Sequence, residues 1–254
     1  MPLCVNFIII IFLFIVSSPT LHGADNENYT TCHEKTYDCG DQIKEIRYPF
    51  WGEDRLQFCG VQGFKLTCKG NENTTIVIEN QEFRVLHINQ SAHSMTIARA
   101  DLWDTICPAK FINTTLNWNL FDYGPHPQVN LTLFYDCLPY SASYDPKQEQ
   151  WSHFQCPGQS SSNINFVVEE SFLTYPPNCK SRIKVPVFGE ALHAFGWDLE
   201  KLVKQGFEAA YHEMDKIQAC DLCNTSGGEC GTNTTTNQAI CFCHNGPQPQ
   251  ICQG

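Results

Sequence analysis

The chain has 254 residues, a formal net charge of −11, 42% apolar residues and 15 cysteines. This length suffices for one large domain or two small ones, and the composition excludes a disordered polyelectrolyte, a coiled coil and a collagen-like repeat. No third of the chain after residue 23 is basic, which indicates no nucleic-acid partner because phosphate binding needs a basic surface.

An N-terminal apolar block predicts a secretory signal peptide over residues 1–23. Residues 7–16 read FIIIIFLFIV and are followed by small and polar residues. Ten helical residues rise about 15 Å, roughly half of a bilayer core, so the block is too short to span a membrane comfortably. We expect no membrane span in the chain after signal cleavage.

The cysteine count predicts disulfide bonds in an oxidising compartment. Removal of the leader removes Cys4 and leaves fourteen cysteines, an even number. The C-terminal cysteines could be drawn as zinc ligands, but zinc needs thiolates, and this compartment favours disulfides. We expect most pairs to lie within one module, although Cys137, Cys156 and Cys179 could bond across modules, and the connectivity stays open. The predicted disulfide cysteines are Cys32, Cys39, Cys59, Cys68, Cys107, Cys137, Cys156, Cys179, Cys220, Cys223, Cys230, Cys241, Cys243 and Cys252.

Seven Asn-x-Ser/Thr sequons agree with secretion, because such sites are modified only in the secretory pathway. Seven glycans would cover much of the surface and would limit where a protein partner could bind. The predicted N-glycosylation sites are Asn28, Asn73, Asn89, Asn113, Asn130, Asn224 and Asn233.

Short strands separated by turn residues are predicted along the first half of the chain. Their spacing of about ten residues is typical of an antiparallel sheet. The predicted strands cover residues 45–50, 63–68, 74–79, 83–88 and 94–99.

A sixth strand is predicted at 129–136, where apolar and polar residues alternate. Glycosylation of Asn130 would require its face of the strand to be exposed. The odd-numbered residues, among them Leu131, Leu133 and Tyr135, would then lie in the core.

The second half begins with a predicted loop or linker at 141–165, followed by extended segments at 165–169 and 183–188. After these, the hydrophobic period changes to that of a helix beginning after the N-cap Asp198. Gly206 costs such a helix about 1 kcal/mol, so we expect close packing or a kink there. The predicted helical stripe is Leu199, Leu202, Val203, Gly206, Phe207, Ala210 and Tyr211.

These patterns predict a mainly β, disulfide-rich fold. It would consist of two small antiparallel β modules, residues 24–115 and 116–254, with one amphipathic helix before a Cys-rich C-terminal tail. The chain has no Gly-x-Ser-x-Gly, His-Glu-x-x-His, phosphate-binding-loop or kinase motif. A glycosidase needs only two suitably spaced carboxylates, so it stays as the less favoured alternative to a chain without catalytic residues, metal or cofactor.

A basic stripe is the first candidate for ligand binding. Lys180, Arg182 and Lys184 would lie on one face of a strand, in a segment without acidic residues, and could bind carboxylates. The alternative is that these long side chains only solvate an edge strand and prevent aggregation.

Arg47, Trp51 and Arg55 form the second candidate. Trp51 ends a Tyr-Pro-Phe-Trp segment, and the two arginines lie near that segment in the sequence. Exposed aromatic rings beside cations suit stacking on sugars. The alternative is that Tyr48 and Phe50 are inward residues of one strand.

The same segments carry a resemblance to known modules. The first half resembles the galacturonan-binding module of plant wall-associated receptor kinases at residues 39–40, 46–51, 59–60 and 63–68. The later half, with Cys220-x-x-Cys223 and the run Ser226-Gly227-Gly228-x-Cys230-Gly231, looks like the wall-associated-kinase C-terminal module. The two in this order are similar to the ectodomain of leaf-rust-resistance-locus-like receptor kinases.

The resemblance implies an extracellular, cell-wall-facing protein that binds pectic galacturonan, normally followed by a transmembrane helix and a cytoplasmic kinase. We expect a secreted ectodomain-only relative, or a truncated receptor of the plasma membrane. The alternative is a protein-interaction decoy or apoplastic defence protein that binds no sugar. Because galacturonan is a polyanion and the chain is acidic, binding would need a local basic patch or Ca²⁺ that bridges protein and uronate carboxylates.

Overall fold

The computed structural model describes residues 26–138, 151–158, 164–169, 178–196, 198–212 and 214–253. The predicted signal peptide and most of the predicted linker at 141–165 lie outside these residues. The described strands are β1 Tyr37–Cys39, β2 Ile43–Ile46, β3 Leu66–Lys69, β4 Asn73–Ile78, β5 Gln81–Asn89, β6 Ser94–Arg99, β7 Phe121–Tyr123, β8 Gln128–Cys137, β9 Trp151–Phe154, β10 Ile164–Glu169, β11 Cys179–Phe188, β12 Phe207–Tyr211, β13 Glu229–Asn233, β14 Gln238–Cys243 and β15 Gly246–Gln248.

The described strands form four sheets, so the predicted mainly β fold is confirmed. A hairpin of β1 and β2 accompanies a six-stranded sheet with the order β3-β4-β5-β6-β12-β7. A four-stranded sheet has the order β11-β8-β10-β9, and β13, β14 and β15 form the C-terminal sheet. The α-helices are α1 Glu27–Glu34, α2 Gly189–Phe195, α3 Leu199–Gln205 and α4 Met214–Thr225, and two 3-10 helices cover Gln57–Cys59 and Ala100–Leu102.

The strands predicted in the first half agree with β3, β4, β5 and β6 to within three residues at each end. The prediction at 45–50 is wrong beyond Ile46, where β2 ends. The chain turns there, and the Phe50 backbone N–H donates to the Arg47 carbonyl at 3.0 Å. Phe50 is fully buried, but it reaches the core from this turn and not from a strand.

Strand β8 is buried on both faces. Leu131, Leu133 and Tyr135 lie in the core as predicted. The opposite face is only half-buried at Gln128 and Asn130, but the prediction that this face is exposed is wrong further along, because Thr132 and Phe134 are buried. Each face of β8 packs into its own apolar cluster, since Leu131, Leu133 and Tyr135 belong to one cluster and Phe134 packs with Phe166 and Val168 in another.

The predicted helix at 199–211 is correct only in its first half. Asp198 is the N-cap, and its side chain accepts a hydrogen bond from the Lys201 backbone N–H, so α3 begins where predicted. It ends before Gly206, whose φ of +68° is unfavourable for residues with a Cβ. Residues 207–211 then form β12, because an apolar stripe of helical period can also satisfy alternation over five residues.

Strand β12 joins the C-terminal half of the chain to the sheet of the first half. It pairs with β6, where Phe207 lies opposite Ile97, and with β7, where Tyr211 lies opposite Phe121. Strand β7 pairs with β12 alone in this sheet. The division of modules at 115/116 stays a prediction, but the six-stranded sheet contains strands from both sides of that position.

All fourteen cysteines after the predicted leader are paired in the structure. Cys107–Cys156 joins the two predicted modules, and Cys241 and Cys243 bond to different partners. The seven disulfides are Cys32–Cys59, Cys39–Cys68, Cys107–Cys156, Cys137–Cys179, Cys220–Cys230, Cys223–Cys241 and Cys243–Cys252.

Gly206→Ala should destabilise the protein more than Gly196→Ala. Both glycines have a positive φ and end a helix, but a Cβ at Gly206 would overlap with the carbonyl oxygen of Ile97, whereas a Cβ at Gly196 would contact nothing within 4 Å. We expect the extra loss in the free energy of unfolding to be roughly 2 kcal/mol or more, measured by urea unfolding. Equal losses would show that β12 does not depend on this close approach.

Candidate functional site

A cavity of about 230 Å³ lies where the first half of the chain meets the Cys-rich C-terminal sheet. The turn at 47–49 and the β5–β6 hairpin form one wall. Helix α4 and the start of β13 form the other wall. The cavity is lined by polar side chains that could contact a ligand, namely those of Arg47, Tyr48, Gln90, His93, Asp221 and Glu229.

The charges at this cavity are largely balanced. The Arg47 guanidinium donates from Nη1 to the His33 carbonyl oxygen at 2.9 Å and lies 3.8 Å from Glu229 Oε2. The other carboxylate oxygen of Glu229 lies 2.7 Å from His33 Nδ1. Asp221 adds a second acid to the cavity wall. The cavity could therefore bind a single carboxylate through Arg47, but it is not a basic surface for a polyanion.

Arg55 is a structural residue, which corrects its prediction as a surface cation for ligand binding. Arg55 is one of the residues that line the cavity, but it is only 1% exposed. The guanidinium donates to the carbonyl oxygens of Phe50, Cys32, Lys35 and Cys59 at 2.5–3.2 Å. These bonds use four of its five N–H donors and connect the end of α1 to the turn and to the 3-10 helix. Burial lowers the pKa of Arg55 to about 10, so the side chain stays charged at neutral pH.

Trp51 does not lie with Arg47. Its indole N–H donates to the Val61 carbonyl at 2.8 Å, and the ring packs beside Gly60, where a Cβ would collide with it. Lys65 Nζ lies over the ring at 5.4 Å from the centroid. The indole is therefore partly covered, and the structure does not bring the predicted Arg47–Trp51 pair together in one site.

The basic stripe of Lys180, Arg182 and Lys184 lies on the edge strand β11 with all three side chains exposed. Lys180 Nζ lies 3.9 Å from Asp136, an exposed and weak ion pair. The Lys184 backbone N–H donates to Asn113 Oδ1 at 3.0 Å. A glycan on Asn113 would therefore begin beside the stripe.

An ion pair that sequence reasoning missed joins β12 to the loop between β7 and β8. His126 Nδ1 lies 2.5 Å from Glu208 Oε2, and the His126 backbone N–H donates to the same oxygen at 3.3 Å. The hydrogen bond to Glu208 raises the pKa of His126. Burial opposes ionisation of Glu208, but the hydrogen bonds from His126 and Ser94 outweigh it and lower the pKa of the carboxyl group. No local pattern could have identified this pair, since the residues are 82 positions apart.

The structure supports disulfides and not zinc in the C-terminal sheet. Among the described residues, the only group of three metal-ligating side chains with clustered donor atoms is Cys241, Cys243 and Cys252. All three sulfurs belong to disulfides, so none offers a thiolate. Bridging by Ca²⁺ stays an expectation.

Arg55→Met should strongly destabilise the protein, because it removes the donor of four carbonyl groups, three of which accept buried hydrogen bonds. We expect a loss of roughly 3 kcal/mol or more in the free energy of unfolding, measured by urea denaturation. The control is Arg47→Met, which removes an exposed cation and should cost less than about 1 kcal/mol. If Arg55→Met is not secreted, Arg55→Lys gives the same comparison. Equal losses at both positions would contradict the structural role.

The His126–Glu208 pair should make stability depend on pH. Because the pKa of His126 is raised, its contribution is complete below the ordinary value of 6.5 and is lost as the pH rises through the folded-state pKa. Because the pKa of Glu208 is lowered, its contribution is complete above 4.5 and is lost as the pH falls through the folded-state pKa.

The difference in unfolding free energy between the wild type and Glu208→Gln should therefore be greatest between about pH 4.5 and 6.5. Denaturant unfolding over a pH series measures it. Asp122→Asn is the control, because Asp122 makes only a longer, exposed pair with His212 at 3.7 Å. A difference that does not vary with pH would contradict the assignment.

Two family models match the chain. Residues 32–99 match the wall-associated receptor kinase galacturonan-binding family, and residues 153–246 match the wall-associated receptor kinase C-terminal family. The first match includes Arg47 and the first cavity wall, and the second includes the basic stripe. No solved structure matches the chain.

Curated relatives from Arabidopsis thaliana match over most of the chain. The leaf rust 10 disease-resistance locus receptor-like protein kinase-like 1.4 is 30% identical over 78% of this chain and 28% of its own length. The 2.8 protein of the same series is 30% identical over 93% of this chain and 25% of its length, and the 2.3 protein is 31% identical over 93% and 34%.

The chain spans about a quarter to a third of the length of these relatives. Within the described ranges, no helix has the length and hydrophobicity to cross a membrane. The matched region is the ectodomain region of these receptor kinases, and neither matched family is a kinase-domain family. The resemblance predicted from the sequence is thus confirmed, and the chain belongs to the extracellular ectodomain family of plant wall-associated and leaf-rust-10-locus receptor-like kinases.

Proposed function

We propose that this cell-wall-sensing ectodomain region binds galacturonan, and that the basic stripe on β11 makes the main contact. The match of residues 32–99 to a galacturonan-binding family supports the ligand class. The observation that carries the choice of surface is the exposure of Lys180, Arg182 and Lys184 along one face of an edge strand.

The spacing of the stripe suits a polyuronate. Three cations at alternate positions extend over about 13 Å along a strand, which is comparable to a few uronate units. Long-range repulsion by the acidic chain is screened at moderate salt, whereas contacts at the stripe are local. The cavity beside Arg47 could hold one further carboxylate at a chain end, although its own acids Asp221 and Glu229 weaken that attraction.

Replacing Lys180, Arg182 and Lys184 together by Ser should lower the affinity for oligogalacturonide. Each exposed contact contributes at most about 1 kcal/mol, so we expect a tenfold to hundredfold loss at low salt and a smaller loss at high salt. Isothermal titration with the secreted protein measures the affinity. Expression with and without Asn113→Gln tests whether a glycan beside the stripe masks it.

The matched control is a triple replacement of Lys44, Lys69 and Lys201 by Ser. It changes the net charge by the same amount at exposed positions, where each lysine has its own carboxylate partner. Equal losses in the two triple variants would show that only net charge matters. Binding that survives the stripe replacement but is abolished by a chelator would assign the site to Ca²⁺ bridging, and absence of binding in the wild type would reject galacturonan as the ligand.

A further inference from the structure

A second cavity, of about 210 Å³, lies between the two larger sheets. Strand β7 and the loop after it supply Tyr123 and His126, and β8 and β11 supply Gln128, Asn130 and Pro186. An apolar cavity of about 150 Å³ holds a benzene ring, and sites for drug-sized ligands begin near 300 Å³. The volume therefore suits one six-membered ring and not an oligosaccharide.

The walls of this cavity favour an uncharged ligand that has both a C–H face and hydrogen-bond donors. Tyr123 and Pro186 present apolar surface. Gln128 Nε2 donates to the Glu208 carbonyl at 2.8 Å, which fixes the orientation of the amide group. Its Oε1 atom is buried and accepts no hydrogen bond from any described residue.

The charge of the cavity agrees with this ligand class. The lining residues that the structure describes include neither Lys nor Arg, and the one imidazole, His126, is paired with Glu208. A uronate would have no strong cation to bind. A neutral pyranose ring offers C–H groups to an aromatic face and O–H or N–H groups to a carbonyl oxygen, so its chemistry fits these walls.

The chain itself can supply such a ring at Asn130. This residue lies opposite Pro186 in the β8–β11 ladder, on the same strand face as Gln128, and it begins the sequon Asn-Leu-Thr. Asn130 is half-buried, as are Asn28, Asn73 and Asn89, but of these four only Asn130 lines this cavity. A sugar linked to Asn130 begins at the cavity wall, and tethering gives it an effective concentration in the millimolar range.

We propose that this cavity holds the first N-acetylglucosamine of an N-linked glycan on Asn130. The sugar ring packs against Tyr123 and lies beside the side chain of Gln128. Because Tyr123 belongs to the six-stranded sheet and Asn130 to the four-stranded sheet, the sugar fixes the two sheets together. The glycan is then a structural part of the fold, and this role is independent of galacturonan binding.

The first test compares melting temperatures of the glycosylated protein and variants made in the same secretory host. Asn130→Gln should lower the melting temperature by about 2–4 °C. The control Thr235→Ala removes the sequon of Asn233 but keeps the Asn233 side chain, and it should change the melting temperature by less than about 1 °C. Trimming the folded wild type with an endoglycosidase that leaves one sugar on each Asn should also have little effect, because the first sugar remains.

The second test measures coupling between the sugar and Tyr123. Tyr123→Leu should lower the melting temperature in the glycosylated protein and should lower it much less in the Asn130→Gln background, because its sugar partner is already absent. Additive losses would overturn the proposal. Peptide mass spectrometry that finds Asn130 unmodified in the secreted protein would also overturn it, and binding of free N-acetylglucosamine to such a protein would assign the cavity to an external sugar.

Discussion

The pairing of β12 with β6 is the interaction on which the rest of the structure depends. The five residues of β12 come from the C-terminal half of the chain and lie between β6 and β7 in the six-stranded sheet. Within that sheet, β7 pairs with β12 alone. The insertion requires a glycine, because the backbone at Gly206 passes so close to Ile97 that no Cβ fits. Glu208 belongs to the same strand, and its carboxylate binds His126. The two family matches thus correspond to parts of the sequence that fold against each other.

A buried arginine and an aromatic pair reinforce this arrangement. Arg55 has no carboxylate partner within hydrogen-bonding distance among the described residues, and carbonyl groups from three separate segments surround its charge. Near the C-terminal sheet, the edge of the Phe58 ring meets Phe242 at 5.7 Å between centroids, which packs the first half against β14. The surfaces left for ligands are therefore peripheral, and the basic stripe on the outer edge of the second sheet is one of them.

Local patterns predicted part of the fold well. Turn residues at intervals of about ten located β6 at its correct bounds, and the Asp198 N-cap located the start of α3, because both signals depend on near neighbours. Tertiary contacts decided the rest. The apolar residues at 207–211 fit the hydrophobic period of a helix and that of a strand. They form a strand because they pair with the edge of β6. Arg55 is indistinguishable in sequence from a surface arginine, and the carbonyl groups that surround it include two, of Cys32 and Lys35, that lie 23 and 20 residues away.

The order of synthesis gives the insertion of β12 a further consequence. The edge of β6 that pairs with β12 has no partner until residues 207–211 have been synthesised, and at roughly 5–20 residues per second this takes on the order of 10 s. During that interval the first half presents an open sheet edge and an incomplete aromatic core, because Phe207 and Tyr211 have not yet joined Phe83 and Phe64. An open sheet edge is a template for pairing with another chain, so the first half of the protein depends on the arrival of β12 both to close this edge and to complete its aromatic core.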